Sequence, residues 1–450
     1  MDRRKFIKSA IVSAAGVALS DTLLGQNVAA GVVVPGEIYT DGKKGDVSTG
    51  VENHLDVEGY VKEPSHRIPV VASADVVVVG GGAAGFAAAV SAARQGADVI
   101  LVEKANFLGG LWTGGLVLPV LATYARAKDM SWQRAVGGIC VEVCDELLAN
   151  GWAVNPEKPC ADPEAAKYLL EKKMKEAGVR VIYNADAVGV TMSGDRVESI
   201  IIACNTGRIA IKCRTAVDAS GDGNIFNFTG DPHEARKYHI SNSFRVGGIN
   251  GKKFWPTPVE SMRYCVVGSR NAEDGLDVFR VSQLQRDHRL EVWNRIEELK
   301  KDPEYSKSYL IEMGPVTGVR VTRVLDSLHN VTLEGSMEWK SYDDCIGMAG
   351  MCDPFMYKGR RITKADRPIW QIPYRSLIPR QTQNLLVAGR CFGYDAGITW
   401  DAREISTCFV TGQAAGTAAA MASIGHSSVR DVDIRQLQSQ LRKDGARLDF

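Results

Sequence analysis

Residues 75–103 constrain the fold of this chain more than any other segment. Residues 75–79 read DVVVV, a continuous β-branched run typical of a parallel strand that is covered on both faces. A glycine-rich turn follows at residues 80–85 (GGGAAG), then an alanine-rich helical stretch, and then a second apolar run that leads into Glu103. Strand, glycine turn, helix, strand and acid in this order predict a Rossmann-like βαβ unit that binds a dinucleotide.

Each glycine of the turn has a predicted role. Gly80 turns the chain out of the strand, Gly82 lets the backbone approach a pyrophosphate, and Gly85 lets the helix pack closely on the strand. The first N–H groups of the helix are then expected to bind the phosphates. Glu103 can accept hydrogen bonds from both hydroxyls of an adenosine ribose.

Later segments favour FAD over NAD as the dinucleotide. Residues 106–115 (NFLGGLWTGG) are interpreted as a glycine-rich continuation of the second strand, of the type that passes over the flavin half of FAD. Residues 208–222 predict a strand that leads into VDASGD, and residues 384–390 (NLLVAGR) predict a buried strand that ends in glycine. Residues 411–416 (TGQAAG) are interpreted as the start of a helix whose N–H groups face the flavin pyrimidine. Taken alone, this last segment fits a tightly packed Ala/Gly helix equally well.

The combination of segments resembles a known family. The chain is similar to FAD-dependent oxidoreductases grouped with fumarate reductase and heterodisulfide reductase flavoproteins. The matching segments are residues 75–85, 103–113, 178–183, 218–224, 372–379, 384–390 and 403–416. The resemblance implies an α/β protein with a Rossmann-like, glutathione-reductase-like FAD-binding domain and an inserted α+β substrate domain. Two features depart from the family pattern: Ser220 stands in place of Thr, and residues 343–354 lack the Asp-x-His pair that relatives often carry.

Pattern and resemblance together define the expected site. FAD is the expected cofactor, with contacts at Gly80, Gly82, Ala83, Ala84, Gly85, Glu103, Lys104, Gly109, Gly110, Thr113, Ala187, Ser220, Gly221, Asp222, Gly389, Gln413 and Ala414. The resemblance implies that Arg320 and Arg323 face the cleft, where the pair could bind a carboxylate. An equal alternative is that both are solvated arginines on a strand. Arg403 has a stronger case, because it precedes the expected flavin-facing helix and matches the family motif. His239 has no motif behind it and is interpreted as a core or surface residue.

These residues predict an FAD-dependent oxidoreductase that transfers hydride between flavin N5 and a small organic substrate. Two alternatives stay open. One is an FAD-containing hydratase, isomerase or lyase in which the flavin has no redox role, and the other is a flavin electron carrier that docks a partner protein. Because no second NAD-type glycine pattern is present, electrons are expected to pass to or from the substrate, oxygen, a quinone or an electron carrier.

The first thirty residues are interpreted as a targeting signal. Arg3 and Arg4, followed by an apolar small-residue stretch, resemble the twin-arginine signal of exported bacterial proteins, and residues 28–30 (VAA) offer a cleavage site. A basic amphipathic helix is the alternative. Passage through the twin-arginine export machinery predicts a periplasmic or otherwise exported protein. The expected organisation is a signal peptide at 1–30, a linker or arm at 31–66, the first part of the FAD-binding domain at 67–224, a substrate domain at 225–383 and the last part of the FAD-binding domain at 384–450.

Residue patterns also predict elements outside the nucleotide-binding segments. Two helices are expected within residues 134–178, the second beginning after Asp162 and ending at Gly178. Strands are expected at residues 241–249 and 318–326. A helix at residues 290–302 is expected to bury one face, formed by Leu290, Trp293, Ile296 and Leu299.

Composition excludes several classes of protein. Lys and Arg number 54 and Asp and Glu 53, so the formal net charge of +1 gives no electrostatic footprint for nucleic acid. No apolar run reaches the ~18 residues that a membrane span needs. The ten cysteines include no C-x-x-C pair and no zinc-like spacing with histidine, so we expect no metal site. Cys140 and Cys144 lie four apart on an expected helix, too far for a disulfide, and should stay reduced.

Overall fold

The computed structural model describes residues 38–39, 51–58, 60–61, 67–249, 254–352 and 355–450. The chain divides into two compact units, of which the first comprises Met1–Val47 and Val57–Ser65 and the second Ser48–Asp56 and His66–Phe450. In the first unit, two short strands pair antiparallel. The expected signal peptide and most of the expected arm lie outside the described residues.

The second unit holds nearly all of the regular structure. The strands of the two units are β1 Ile38–Tyr39, β2 Tyr60–Val61, β3 Val70–Val79, β4 Val99–Val102, β5 Tyr124–Arg126, β6 Trp132–Arg134, β7 Ala153–Val154, β8 Cys160–Ala161, β9 Arg180–Ile182, β10 Asp186–Ser193, β11 Arg196–Cys204, β12 Gly207–Asp218, β13 His233–Ala235, β14 Ile240–Gly247, β15 Trp255–Pro256, β16 Met262–Gly268, β17 Tyr309–Met313, β18 Gly318–Val319, β19 Arg323–Leu325, β20 Cys345–Gly350, β21 Phe355–Tyr357, β22 Arg360–Ile362, β23 Ile369–Pro373 and β24 Leu385–Val387. The α-helices are α1 Ala83–Arg94, α2 Gly138–Ala149, α3 Pro163–Glu176, α4 Asn224–Thr229, α5 Val278–Leu299, α6 Leu333–Met337, α7 Thr399–Ala402, α8 Ile405–Ile424 and α9 Ile434–Lys443.

A seven-stranded sheet forms the centre of this unit. Its order is β10-β11-β12-β3-β4-β9, and β24 pairs with the carboxyl end of β12. Strands β3, β4, β9, β12 and β24 are parallel, whereas β10, β11 and β12 form an antiparallel meander. Val76, Val77 and Val78 are fully buried between layers, as the continuous β-branched run predicts. The expected α/β class and Rossmann-like sheet are confirmed.

Helices α1 and α8 cross with their backbones unusually close together. A Cβ atom at Gly412 would overlap the backbone carbonyl of Ala84, and one at Gly416 would overlap that of Ala88. Helix α8 begins at Ile405, so these glycines lie inside it. The prediction that a helix starts at residues 411–416 is wrong. The small residues permit the contact between two helices, so the tightly packed Ala/Gly explanation is the one the structure shows.

A second sheet, of five strands, uses β14 to β18, and α5 packs against it. This helix begins after Asp277, whose carboxylate accepts hydrogen bonds from the N–H groups of Phe279 and Arg280, so it starts twelve residues before the expected position. The predicted buried face is half wrong. Leu290 and Trp293 are 66% and 57% exposed, whereas the helix buries Leu284, His288, Val292, Ile296 and Leu299.

Other expected elements are confirmed or divided. Helices α2 and α3 lie where the pattern predicts, and the carboxylate of Asp162 caps α3 by accepting two backbone N–H groups. The expected strand at residues 318–326 is divided into β18 and β19, which belong to different sheets. Residues 106–115 form bends and turns, with a single parallel bridge between Gly109 and Gly82, rather than a strand continuation. No helix in the described parts of the chain is both long and apolar enough to cross a bilayer.

Candidate cofactor and substrate site

A cavity of about 370 Å³ opens at the carboxyl ends of β3, β12 and β24, where open α/β sheets bind ligands. The glycine turn, the loop after β12 and the start of α8 all contribute to its wall. Of the expected cofactor contacts, the cavity brings together Gly80, Gly82, Ala83, Ala84, Glu103, Lys104, Gly109, Gly110, Ser220, Gly221, Asp222 and Gly389. Arg403 also lines it, at the end formed by the start of α8.

The three glycines of the turn meet three different surroundings. Gly80 has φ +98°, and a Cβ there would lie 2.5 Å from the carbonyl oxygen of Ala219. A Cβ at Gly85 would overlap the carbonyl oxygen of Gly80, so this glycine joins helix and strand and does not face the cavity. A Cβ at Gly82 would meet nothing nearer than the Cα of Gly110 at 4.0 Å. The chain therefore leaves open space at Gly82, where the diphosphate is expected.

Glu103 is buried and holds the turn in place. Its carboxylate accepts hydrogen bonds from the backbone N–H of Gly81 and, at 2.7 Å, from that of Ala105. The same carboxylate borders a smaller adjoining cavity that Ala187 also lines. This arrangement puts Glu103 and Ala187 on the side where the adenosine half is expected, with Glu103 bracing the loop as well.

The loop after β12 is organised by a residue that the sequence patterns did not single out. The fully buried carboxylate of Asp218 accepts hydrogen bonds from the N–H and hydroxyl of Ser220 and from the N–H groups of Ile225 and Phe226. Burial raises the pKa of Asp218 against the effect of these hydrogen bonds. Four donors on one carboxylate fix the Ser220–Asp222 stretch at the cavity wall.

Asp222 lies within a cluster of cations on that wall. It accepts hydrogen bonds from Nη2 of Arg390 at 2.7 Å and from the hydroxyl of Thr322, and Nζ of Lys104 lies 4.0 Å away. Burial favours a higher pKa for Asp222, but Arg390 and Lys104 outweigh it and hold the pKa below its ordinary value. Asp222 is therefore ionised at neutral pH, with two positive charges beside it.

These features fit the diphosphate and ribityl groups of FAD. The first turn of α1 has no side-chain cap, so its N–H groups can donate to phosphate oxygens. The wall offers open space at Gly82 and a buried guanidinium nitrogen, Nη1 of Arg390, that has no hydrogen-bond partner in the described structure. An uncapped helix end and an unpaired guanidinium donor in a residue of the cavity wall suit an anionic group with many acceptor oxygens.

Besides Gly85, three further expected cofactor contacts lie away from the cavity. The hydroxyl of Thr113 donates to the carbonyl of Leu108 inside the turn, and Thr113 is buried. The Gln413 side chain accepts from the N–H of Ile139 and donates to a carbonyl near the carboxyl terminus, so it joins α8 to other segments. Ala414 is buried in the middle of α8. Because α8 begins at Ile405, its first turn rather than this segment borders the cavity.

The structure also separates the expected arginine pair. Arg323 lies in β19 and donates to the backbone carbonyl of Asp222, and it does not line the cavity. Arg320 lies between β18 and β19, close enough to Arg403 for the two charges to interact. The two arginines on the strand-like stretch therefore do not form one carboxylate clamp, and Arg403 replaces Arg323 as the neighbour of Arg320.

Arg403 is enclosed by aromatic rings. Its guanidinium carbon lies 4.7 Å from the ring centroid of Trp400 and 5.7 Å from that of Tyr238. Nη1 lies 3.4 Å from a carboxylate oxygen of Glu404, whereas Nε of Arg403 and Nε1 of Trp400 are buried without hydrogen-bond partners in the described structure. We name Arg320, Arg403, Trp400 and Tyr238 the basic-aromatic cluster.

Electrostatics within the basic-aromatic cluster favour an anion. Burial, together with the nearby Arg403, lowers the pKa of Arg320. Burial raises the pKa of Tyr238 although both arginines oppose the shift, so its hydroxyl stays protonated at neutral pH. Two guanidinium groups and two neutral N–H or O–H donors are thus present, with Glu404 as the carboxylate nearest Arg403.

His239 borders the basic-aromatic cluster without lining the cavity. Its Nδ1 lies 3.2 Å from the carbonyl of Ser269, and its ring packs edge-on against Tyr238 with the ring centroids 5.9 Å apart. In the described parts of the chain, no group of three or more His, Cys, Asp or Glu side chains could hold a metal ion. All ten cysteines, including Cys140 and Cys144, are free thiols.

Sequence patterns missed Arg390, Trp400, Tyr238 and Asp218. Arg390 stands in the matched segment 384–390, but only its glycine was expected to contact the cofactor. Trp400 lies just before α8, and a correct start for that helix would have drawn attention to it. Tyr238 reaches the cluster through tertiary packing, for which one sequence carries no signal.

Fold and site together define a flavin-nucleotide-binding enzyme with its cavity at the carboxyl edge of a Rossmann-like sheet. The family model described as FAD dependent oxidoreductase matches residues 75–266 and 248–441. The chain belongs to this family, and it is an oxidoreductase with FAD as cofactor.

Relatives of known activity match parts of the chain. It is 51% identical over 141 residues to the fumarate reductase (cytochrome) of Shewanella frigidimarina, covering 30% of this chain and 22% of that protein. It is 23% identical over 176 residues to the thiamine thiazole synthase of Pyrococcus furiosus, covering 37% of this chain and 63% of that one. The matches thus span less than two thirds of these relatives. Among solved structures, a geranylgeranyl bacteriochlorophyll reductase-like protein from Thermoplasma acidophilum covers 83% of both chains at 16% identity and a TM-score of 0.46.

Proposed function

We propose that this oxidoreductase exchanges hydride with a small organic anion bound at the basic-aromatic cluster. The observation that carries the proposal is the set of unsatisfied donors there: Nε of Arg403 and Nε1 of Trp400 are buried without partners in the described structure. Buried donors without acceptors are rare in folded proteins, and a bound ligand is one explanation. A carboxylate would satisfy these donors and balance two neighbouring guanidinium groups.

Each residue has a task that its position supports. Bound FAD supplies the hydride acceptor or donor. Arg403 lines the cavity and can donate to a substrate carboxylate, while Arg320 adds charge from the side. The rings of Trp400 and Tyr238 exclude water around Arg403, which strengthens its interaction with an anion. The protonated hydroxyl of Tyr238 is a further hydrogen-bond donor in the same enclosure.

The test is an anaerobic screen in which flavin absorbance reports electron transfer. Oxidised and reduced protein are mixed with small carboxylates and with the matched amide of each. We expect carboxylates to change the flavin spectrum and the amides to fail, because only the carboxylate satisfies the arginines. Conversion of a substrate without any change in the flavin spectrum would overturn the redox proposal in favour of a hydratase, isomerase or lyase.

Variants of Arg403 test whether the substrate binds at the basic-aromatic cluster. Arg403→Met should lower kcat/KM by roughly 10- to 150-fold, the value of one charge-assisted hydrogen bond, with FAD content unchanged. Arg380→Met serves as the matched control, because Arg380 forms an Arg–Asp pair with half-exposed Asp326 away from the cavity. Equal kcat/KM in the two variants would remove Arg403 from the substrate site.

We also propose export through the twin-arginine machinery, with a quinone or an electron-carrier protein as redox partner. The basis is Arg3 and Arg4 before a small-residue stretch, and the presence of a cofactor that has to be loaded before transport. Replacing both residues by Lys should keep an FAD-loaded protein in the cytoplasm. Cell fractionation measures this, and unchanged export of the double variant would contradict it.

A further inference from the structure

Arg390 is a residue of the cavity wall whose guanidinium donors are only partly used by the described residues. Its side chain is 14% exposed, and Nη2 donates to Oδ1 of Asp222 at 2.7 Å. Nη1 of the same guanidinium is buried and has no partner among the described residues. A planar guanidinium fixed at one nitrogen presents its second nitrogen in a defined direction.

The position of Arg390 relates it to the phosphate end of the cavity. Its neighbour Gly389 has φ +81°, and a Cβ there would lie 3.0 Å from the Cβ of Ala84 in the first turn of α1. A Cβ at Gly221 would lie 2.7 Å from Nε of Arg390. The guanidinium thus lies against a glycine of the loop after β12, and the residue before Arg390 contacts the first turn of α1, which carries the free N–H groups.

The charges around Asp222 explain why Arg390 is needed at this wall of the cavity. Asp222 is ionised and lines the cavity, where on its own it would repel a diphosphate with two negative charges. Arg390 and Lys104 make the local net charge positive, because two cations lie beside one carboxylate. Lys104 is 59% exposed and therefore screened by water, so Arg390 is the stronger of the two.

We propose that Nη1 of Arg390 binds the diphosphate of FAD, and that Asp222 is a positioning residue that holds the guanidinium in place. The inference rests on FAD binding in this cavity and not on the identity of the substrate. It adds a side-chain clamp to the backbone N–H groups that the glycine turn supplies. A lysine would not serve equally, because it cannot hold Asp222 and the diphosphate with separate, fixed donors.

The test measures FAD affinity in the holoprotein rather than turnover. Serial dilution with detection of released FAD fluorescence gives the Kd for FAD, and competition with ADP in the same preparation gives the Kd for ADP. Arg390→Met should raise both values by the same factor, roughly 10- to 150-fold, and reduce their dependence on salt. Arg390→Lys should recover only part of the loss. Arg380→Met, which breaks the exposed pair with Asp326, should change neither Kd.

A double variant tests the proposal even if Arg390→Met folds poorly. Arg390→Met with Asp222→Asn leaves no unpaired carboxylate, so it should regain the thermal stability of the wild type but not its affinity for FAD or ADP. Regained affinity in the double variant would overturn the proposal, because Arg390 would then serve only to neutralise Asp222. A loss confined to FAD, with unchanged affinity for ADP, would also overturn it, since the contact would lie on the flavin side.

Discussion

Gly82 and Gly85 separate cofactor binding from folding, because an added methyl group meets different surroundings at the two positions. At Gly82 the backbone has φ −66° and ψ −175°, which alanine adopts without strain, and the nearest protein atom would lie 4.0 Å away. At Gly85 the new Cβ would overlap the carbonyl oxygen of Gly80. The same small substitution therefore tests two roles that the sequence pattern alone assigns.

The expected magnitudes differ in kind. Gly82→Ala should leave the free energy of unfolding of the FAD-free protein unchanged or raised by up to about 1 kcal/mol, because alanine has less freedom in the unfolded chain. The methyl group should weaken FAD binding by about 1.5–3 kcal/mol, or roughly 10- to 150-fold, by keeping a phosphate from at least one N–H donor. Gly85→Ala should cost about 2–5 kcal/mol of folding stability, because backbone has to move.

Chemical denaturation and FAD release, measured on both variants and the wild type, decide the matter. Gly82→Ala should be stable and poor in FAD, and Gly85→Ala should be unstable whatever its FAD content. Full FAD affinity in Gly82→Ala would show that the diphosphate does not pass this glycine. Wild-type stability in Gly85→Ala would show that helix α1 does not pack on the strand as closely as described.

Three further predictions test other parts of the structure. Burial raises the pKa of Asp401 to about 7, above that of an unfolded aspartate, so the folded state keeps a proton that the unfolded chain releases. The contribution of Asp401 to the free energy of unfolding should therefore fall by up to about 4 kcal/mol between pH 4 and 7. Asp401→Asn should remove this fall in denaturation curves, and an unchanged pH profile would contradict the prediction. In α5, Trp293→Gln should change the free energy of unfolding by less than about 0.5 kcal/mol, whereas Val292→Ala should cost about 1–3 kcal/mol, and the reverse order would restore the face expected from sequence. Gly412→Ala should lower the melting temperature, since its Cβ overlaps the backbone of α1, and a protein as stable as the wild type would exclude that contact.

The nucleotide-binding half could be predicted because its signals are local. A β-branched strand, a glycine turn and a terminal acid follow one another within residues 75–103, and each has a steric or hydrogen-bonding reason for its position. The structure reproduces the strand, the helix and the cavity at that turn. For the same reason the start of α3 at Asp162 was predictable from one capping side chain.

The substrate end could not be predicted in the same way. Its basic-aromatic cluster joins residues from three separate segments. Arg320 and Arg323 are separated because β18, which precedes Arg320, and β19, which begins at Arg323, belong to different sheets. The start of α8 cannot be placed from the pattern, because the glycines at 412 and 416 suggest a helix start, whereas they lie inside the helix and permit its contact with α1. In α5, Leu290 and Trp293 have the spacing of a buried face, but the sheet covers the adjacent face instead.

Identification of the cofactor released from purified protein tests the central claim most directly. Denaturation followed by mass spectrometry and absorbance should yield one FAD per chain, because the cavity provides space and donors for a diphosphate together with a bordering site for an adenosine ribose at Glu103. Release of FMN, or a well-folded preparation that takes up no FAD, would contradict the account.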